Sequence, residues 1–263
     1  MPDLEYTPQE IMTIAAARRL RNNTVCFVGI GLPSAAANLA RITHAPGVVL
    51  IYESGTIGAK PDVLPLSIGD GELAETADTV VSVPEIFRYW LQGGRVDVGF
   101  LGAAQIDKFG NINTTVIGGN YNSPKVRLPG AGGAPEIATA AKEVTIVLKQ
   151  NKRAFVDQLD FVTSSGFVDS VPSKSHPLAR GRGPTTVITD LGVMASTCDS
   201  RELVLVALHP GVQIDQVREA TSWQLKVAPQ LESTPLPTAA ELHALRDLHA
   251  RTAAAHGSVA ASE

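Results

Sequence analysis

Residues 48–58 read VVLIYESGTIG. Val48, Val49, Leu50, Ile51 and Tyr52 make a continuous apolar, partly β-branched run. Such a run fits a strand buried on both faces of a parallel sheet, because a strand with one wet face alternates polar and apolar side chains. The run stops at an acid, Glu53, followed by Ser54, Gly55 and then Gly58. In open α/β sheets, ligands bind just beyond the carboxyl ends of the strands. A carboxylate there, among glycines that let a ligand approach the backbone, is a candidate for chemistry. A Glu that only caps a turn or faces water gives the same short pattern.

Upstream, Thr7, Pro8 and Glu10 carry both helix-start signals, a capping box and a proline in the first turn. A strand at 24–28, a tight turn at Gly29-Ile30-Gly31 and a helix at 33–41 follow. Gly29-x-Gly31-x-x-Ser34 superficially matches a dinucleotide fingerprint, but Ser34 stands where the third glycine belongs. A βα turn that lets the helix pack closely is the better reading. Downstream, Pro61, Pro65, Gly69 and Gly71 punctuate a long irregular stretch, of the kind that is functional when it occurs inside a compact domain. A short strand at 79–83, a helix at 84–93 and a buried strand at 96–101 come next. The Lys108-Phe109-Gly110-Asn111 turn marks a hairpin within 102–116.

A dense glycine cluster at 130–134 precedes a short helix at 136–141 and a strand at 143–148. Residues 164–183 shift to Ser, Pro, Gly and basic side chains and read as a mobile surface excursion. The last strands are expected at 186–189 and 203–208, with a helix over 214–221. A proline-rich linker at 233–237 leads to a C-terminal helix, where Thr238 and Glu241 repeat the capping box and Leu242, Leu245 and Leu248 form the buried stripe. The expected organisation is one domain over 1–232, a linker and helix over 233–256 packed on it, and a disordered tail over 257–263. The fold class is α/β: an open, mostly parallel but mixed sheet with helices on both faces.

Composition removes whole classes of function. The chain has 263 residues and a formal net charge of −4, which gives no electrostatic footprint for nucleic acid or an anionic membrane. No apolar run approaches the roughly 20 residues of a membrane-spanning helix. The polar, acidic N-terminus is unlike a signal peptide. Cys26 and Cys198 are far apart and fit free thiols in a reducing cytoplasm. The histidines show no metal-ligand spacing: His243, His249 and His256 read as solvated, and His209 as a structural residue at a strand end. The glycine cluster is either a flexible turn or a row of N–H groups facing an anion or oxyanion, and a strand-end glutamate nearby favours the second.

Together these stretches resemble the β (B) subunit of the family I CoA-transferases. VGIGLPS, YESG, LGAAQIDKFGNINTT, LPGAGGAPEIA and LHPGV stand in that family's order. The likeness covers residues 7–221 and is nearest to the branch acting on 3-oxoadipate, then to that acting on glutaconate. It implies that Glu53 is the catalytic carboxylate, and that Gly132, Gly133 and Ala134 form an oxyanion and CoA loop. Gly31, Gln105 and Asn111, in the remaining matched motifs, are assigned to the same oxyanion and CoA site. By charge alone, and not by the likeness, Lys152, Arg153, Arg180 and Arg182 either meet CoA phosphates or are solvated. The implied reaction is ping-pong acyl transfer through glutamyl anhydride and glutamyl-CoA thioester intermediates, with succinyl-CoA as donor and 3-oxoadipate as acceptor. A separate A (α) subunit would complete the enzyme in a heterotetramer or larger assembly. Coenzyme A enters as substrate, with no permanently bound cofactor and no metal. Two rivals stay open: an acyl-CoA hydrolase on the same scaffold, and a non-covalent module like a sugar-phosphate isomerase or a ligand sensor.

Overall fold

The computed structural model describes residues 5–166, 183–196 and 202–257. The chain runs α1 (Pro8–Ala17), β1 (Val25–Val28), α2 (Leu32–Ile42), β2 (Val49–Ile51), β3 (Thr56–Ile57), α3 (Gly71–Glu75), β4 (Thr79–Val80) and α4 (Val83–Glu85). The last of these widens into π-helical turns over Ile86–Leu91. Then come β5 (Val98–Leu101), a hairpin of β6 (Gln105–Ile106) and β7 (Ile112–Asn113), a second hairpin of β8 (Val116–Asn120) and β9 (Ser123–Arg127), α5 (Ala134–Ala140) and β10 (Glu143–Val147). The described chain closes with β11 (Pro184–Ile188), β12 (Gly192–Ser196), β13 (Leu203–Leu208), α6 (Ile214–Glu219), β14 (Lys226–Ser233) and α7 (Ala239–His256).

Ten strands form one sheet in the order β14-β13-β12-β11-β10-β5-β1-β2-β3-β4. Its centre, from β11 to β2, is parallel throughout. Antiparallel pairings are confined to the flanks, at β2/β3, β3/β4, β11/β12 and β12/β13. The apolar run at 48–52 explains this placement. In β1, Cys26 and Val28 face one apolar layer and Phe27 the other, and Leu50 and Ile51 divide in the same way. One layer is built with α1, α2 and α7, and the other with α5, the π-helical turns and Val217 of α6. Central strands need apolar side chains on both faces because helices cover both.

The predicted capping boxes form at α1 and α7. Arg18 ties the C-terminal segment to α1, donating to Glu241 at 2.7 Å and to the carbonyls of Pro235 and Leu236 at 2.8 and 2.9 Å. No described helix is long and apolar enough to cross a membrane.

Several expectations need correction. The stretch after Gly58 is irregular over 58–70, as expected, but it is shorter than read, because α3 and β4 follow; the strand missed is β3, which lies before Gly58 and turns straight back along β2. The strand expected at 79–83 is only Thr79–Val80, and the helix expected at 84–93 is largely π-wound. The sheet does not end at residue 208, because β14 pairs with β13 and runs through residue 232 to Ser233. β14 is an exposed edge strand carrying Pro229, a residue that sequence patterns assign to loops but edge strands tolerate. The hairpin of β8 and β9 had no sequence signal, since its strands are largely exposed and Gly118 and Gly119 interrupt it at positive φ. Of the excursion expected at 164–183, residues 167–182 lie outside the described residues, as do Cys198 and the tail beyond Gly257, and with them Arg180 and Arg182; Ser164, at its start, is buried rather than on a mobile surface.

Candidate active site

Glu53 sits in a tight turn between β2 and β3. The Gly55 N–H donates to the Tyr52 carbonyl and the Tyr52 N–H to the Thr56 carbonyl, both at 3.1 Å. Gly55 has φ +109°, and a Cβ there would lie 2.0 Å from the carbonyl oxygen of Val81. Only glycine accepts both the left-handed backbone and this approach, so the ESG order fixes where the acid emerges. From below, Tyr52 anchors the turn: its buried hydroxyl meets Ser34 Oγ at 3.2 Å and accepts from Asn38 Nδ2 at 3.1 Å, both on α2. Burial raises the Tyr52 pKa against the opposing pull of these two partners, which keeps the phenol protonated.

The turn meets the glycine cluster across 80 residues of sequence: the Gly133 N–H donates to Glu53 Oε2 at 3.1 Å. A Cβ on Gly132, at φ +48°, would lie 3.3 Å from the same oxygen. One on Gly133 would lie 2.8 and 2.9 Å from the ring of Phe87 and 3.3 Å from Glu53 Oε2. The loop therefore approaches a half-buried carboxylate more closely than side chains would allow. Ala134, buried, begins α5 and accepts a hydrogen bond from Ser164 Oγ at 3.1 Å. Ser54 Oγ and Thr56 Oγ1, one and three residues after the acid, are buried with no hydrogen-bond partner among the described residues. Such orphans are few in native structures and cost stability.

Gln105 and Asn111 do not touch Glu53. Gln105 donates to Asp160 Oδ2 at 2.7 Å and accepts from Asn113 Nδ2 at 2.8 Å. Asn111 donates to Asp107 Oδ2 at 2.7 Å and accepts from the Gly166 N–H at 2.8 Å. Burial pushes the Asp107 carboxyl up, against the pull of the donors on Asn111 and Phe109. These bonds bind the hairpin of β6 and β7 to residues 160–166, which in turn grip the loop. Thr163 Oγ1 accepts from the Thr114 N–H at 2.9 Å, and Thr114 clasps Gly130 through its hydroxyl at 2.7 Å and its carbonyl at 2.9 Å.

Gly31 also stands apart. It caps α2 at φ +81° and borders a cavity that Glu53 does not line, on the face of α1, α2 and α7. Gly29 is a packing glycine, since a Cβ there would lie 2.9 Å from the Phe100 carbonyl of β5. His209 is buried between Thr234 Oγ1 at 2.8 Å and the Thr189 carbonyl at 2.7 Å. Lys152 and Arg153 are exposed. Among the described residues, no cluster of His, Cys, Asp and Glu is arranged to hold a metal. Sequence reasoning missed Phe87, Thr114, Thr163 and Ser164. Their only sequence signal is the aromatic density of Ile86–Leu91 and the paired threonines at 114–115.

The family model for coenzyme A transferases matches residues 9–220. The chain is 66% identical over 252 residues to the B subunit of 3-oxoadipate CoA-transferase of Pseudomonas knackmussii, covering 96% of each chain. It is 34% identical over 233 residues to the B subunit of glutaconate CoA-transferase of Acidaminococcus fermentans, covering 86% of each. The crystal structure of glutaconate coenzyme A-transferase from that organism superposes with a TM-score of 0.83 at 30% identity, covering 92% of this chain and 94% of that one. These matches run through the Glu53 turn and the glycine loop together, and the chain belongs to the coenzyme A transferase family, among its B-type subunits.

Proposed function

We propose that this chain is the B subunit of a cytoplasmic CoA-transferase that moves CoA from succinyl-CoA to 3-oxoadipate, with Glu53 as nucleophile. Likeness to the 3-oxoadipate enzyme's chain over nearly the whole length supports the substrate. The observation that carries the mechanism is the bond from the Gly133 N–H to Glu53 Oε2, 3.1 Å long.

A carboxylate suits the task because it attacks as an anion and needs no base to activate it. Glu53 attacks the thioester carbonyl, the C–S bond breaks, and an acyl-glutamyl anhydride and CoA thiolate result. The thiolate then attacks the glutamyl carbonyl, releasing the first acid and leaving Glu53 as a CoA thioester. The acceptor carboxylate attacks that thioester and the steps run in reverse. Each attack on the glutamyl carbon places negative charge on the side-chain oxygen, where the Gly133 N–H already points. One donor of this kind is worth about 10²–10³ in rate. The partnerless hydroxyls of Ser54 and Thr56 are suited to bond these intermediates. Gln105 and Asn111 act as positioning residues through the loop. A CoA-transferase A subunit covers the site and keeps water from the intermediates, in an assembly of at least two copies of each chain. Coenzyme A is substrate, not resident cofactor.

The test is to purify the chain with its A subunit and follow CoA transfer from succinyl-CoA with and without 3-oxoadipate. Acceptor-dependent formation of 3-oxoadipyl-CoA, abolished in Glu53→Ala, is expected. CoA release at the same rate without acceptor would make the protein a hydrolase, and full activity in Glu53→Ala would remove the acid from the mechanism.

A further inference from the structure

The cavity bordered by Gly31 goes beyond the reading of Glu53. It has a volume of about 540 Å³, within the range of small-molecule sites. Five parts of the chain build it: Gln9 of α1, the turn and first residues of α2 (Ile30, Leu32, Ala35), Leu64–Leu66, Lys149 after β10, and His249 and Thr252 of α7. It lies against the apolar layer of α1, α2 and α7, whereas Phe87 and Ile137, beside the glycine loop, belong to the opposite layer. The walls are mostly aliphatic, and Leu66 is 54% exposed, a large apolar side chain left facing solvent.

Its roof is fixed rather than loose. The Leu64 N–H donates to Thr252 Oγ1 at 2.9 Å, Arg251 donates to the Asp62 carbonyl, and Arg41 reaches the Pro61 carbonyl at 2.5 Å. At the rim stands Lys149, which has no ion-pair partner among the described residues, although the chain's net charge is negative. At the cavity wall, α2 begins at Gly31 without a side-chain cap. The backbone N–H groups of a helix's first turn have no partner within the helix, and the helix dipole favours negative charge at that end. An apolar chamber with positive potential from two sources calls for a ligand with an aliphatic body and one anionic head.

We propose that this cavity is a second ligand site, separate from Glu53, for a short aliphatic monocarboxylate whose head lies between Lys149 and the start of α2. The test is calorimetric titration of the full chain, purified with its A subunit, using octanoate, 1-octanol and inorganic phosphate as probes. Octanoate is expected to bind once per chain, with 1-octanol and phosphate each at least about tenfold weaker. Lys149→Glu and Leu66→Asp, both at exposed positions that leave the fold intact, should each weaken octanoate about tenfold or more. Glu53→Ala should leave it unchanged, so failure of the catalytic reading and failure of this one are told apart. Absence of saturable binding, loss of binding in Glu53→Ala with retention in Lys149→Glu, or equal affinity for phosphate or 1-octanol would overturn the proposal.

Discussion

Gly133→Ala separates a glycine kept for backbone freedom from one kept for space. Gly133 has φ −83°, which alanine adopts without strain, so its effect must come from the added methyl group. That methyl would lie 2.8 Å from Phe87 Cζ, and carbon atoms rest at about 3.5 Å or more, so the ring must retreat by about 0.7 Å. Phe87 packs on Phe27 with ring centroids 5.8 Å apart, within the apolar layer. Overpacking of that kind costs about 1–3 kcal/mol, and each kcal/mol lowers Tm by roughly 2–4 °C in a chain of this size. The same methyl would lie 3.3 Å from Glu53 Oε2, so the carboxylate must also give by a few tenths of an ångström, which adds to the shift of the loop against it. Misplacing a reacting group by about 1 Å costs about 10²-fold. Steady-state transfer by the complex with its A subunit should therefore fall about 10²-fold, with Tm lowered by several degrees. Adding Phe87→Leu removes the ring contact but not the crowding of Glu53, so it should restore Tm and leave kcat low. Wild-type kcat in Gly133→Ala, or full recovery of kcat in the double variant, would refute the placement of Glu53 against the loop.

Gly55→Ala meets both a left-handed φ of +109° and a Cβ 2.0 Å from the Val81 carbonyl, so a loss of about 3 kcal/mol or more is expected in urea unfolding. A loss under about 1 kcal/mol would show that the turn is not pressed against residue 81. Burial pushes the Glu241 carboxyl up, but Arg18 and the Thr238 donors outweigh it and hold the group at about 2, below its ordinary 4.5. The stabilisation is present above pH 4.5 and lost as pH falls towards 2. At this half-buried site solvent screening limits it to about 1 kcal/mol, and a stability–pH profile of Glu241→Gln should lack that step. Burial, with the charge of Asp97 adding to it, raises the fully buried Cys26 thiol far above its usual range, so peptide mapping should find it alkylated only after unfolding.

Much of the fold was legible because its centre is written in side chains. The run at 48–52 and its neighbours at 25–28 and 98–101 are apolar on both faces, and only a covered parallel sheet requires that. Edges carry no such mark. β14 alternates little and contains Pro229, and β8 and β9 are largely exposed on a free hairpin, so nothing in their composition separates them from loops. At the site, Glu53 and the glycines at 132–133 were readable as candidates, since an acid at a strand end and a glycine cluster before a helix each suggest an anion or its stabiliser. Their meeting was expected, but the atoms that make it, the Gly133 N–H and Glu53 Oε2, were not readable. Neither was Phe87, whose ring explains why position 133 has no side chain. Gln105 and Asn111 lie in the family's motif but spend their polar atoms on Asp160, Asn113, Asp107 and Gly166. Motif order singled them out, and only the hydrogen bonds show that they contact residues 107, 113, 160 and 166 rather than Glu53.

The most direct measurement is peptide mass analysis of the complex with its A subunit after brief mixing with succinyl-CoA and acid quench. If Glu53 is the nucleophile, a CoA adduct is found on the peptide containing it, is removed by adding 3-oxoadipate and is absent from Glu53→Ala. An adduct on any other residue, or turnover with no acyl or CoA mass on Glu53 at any quench time, would contradict that role.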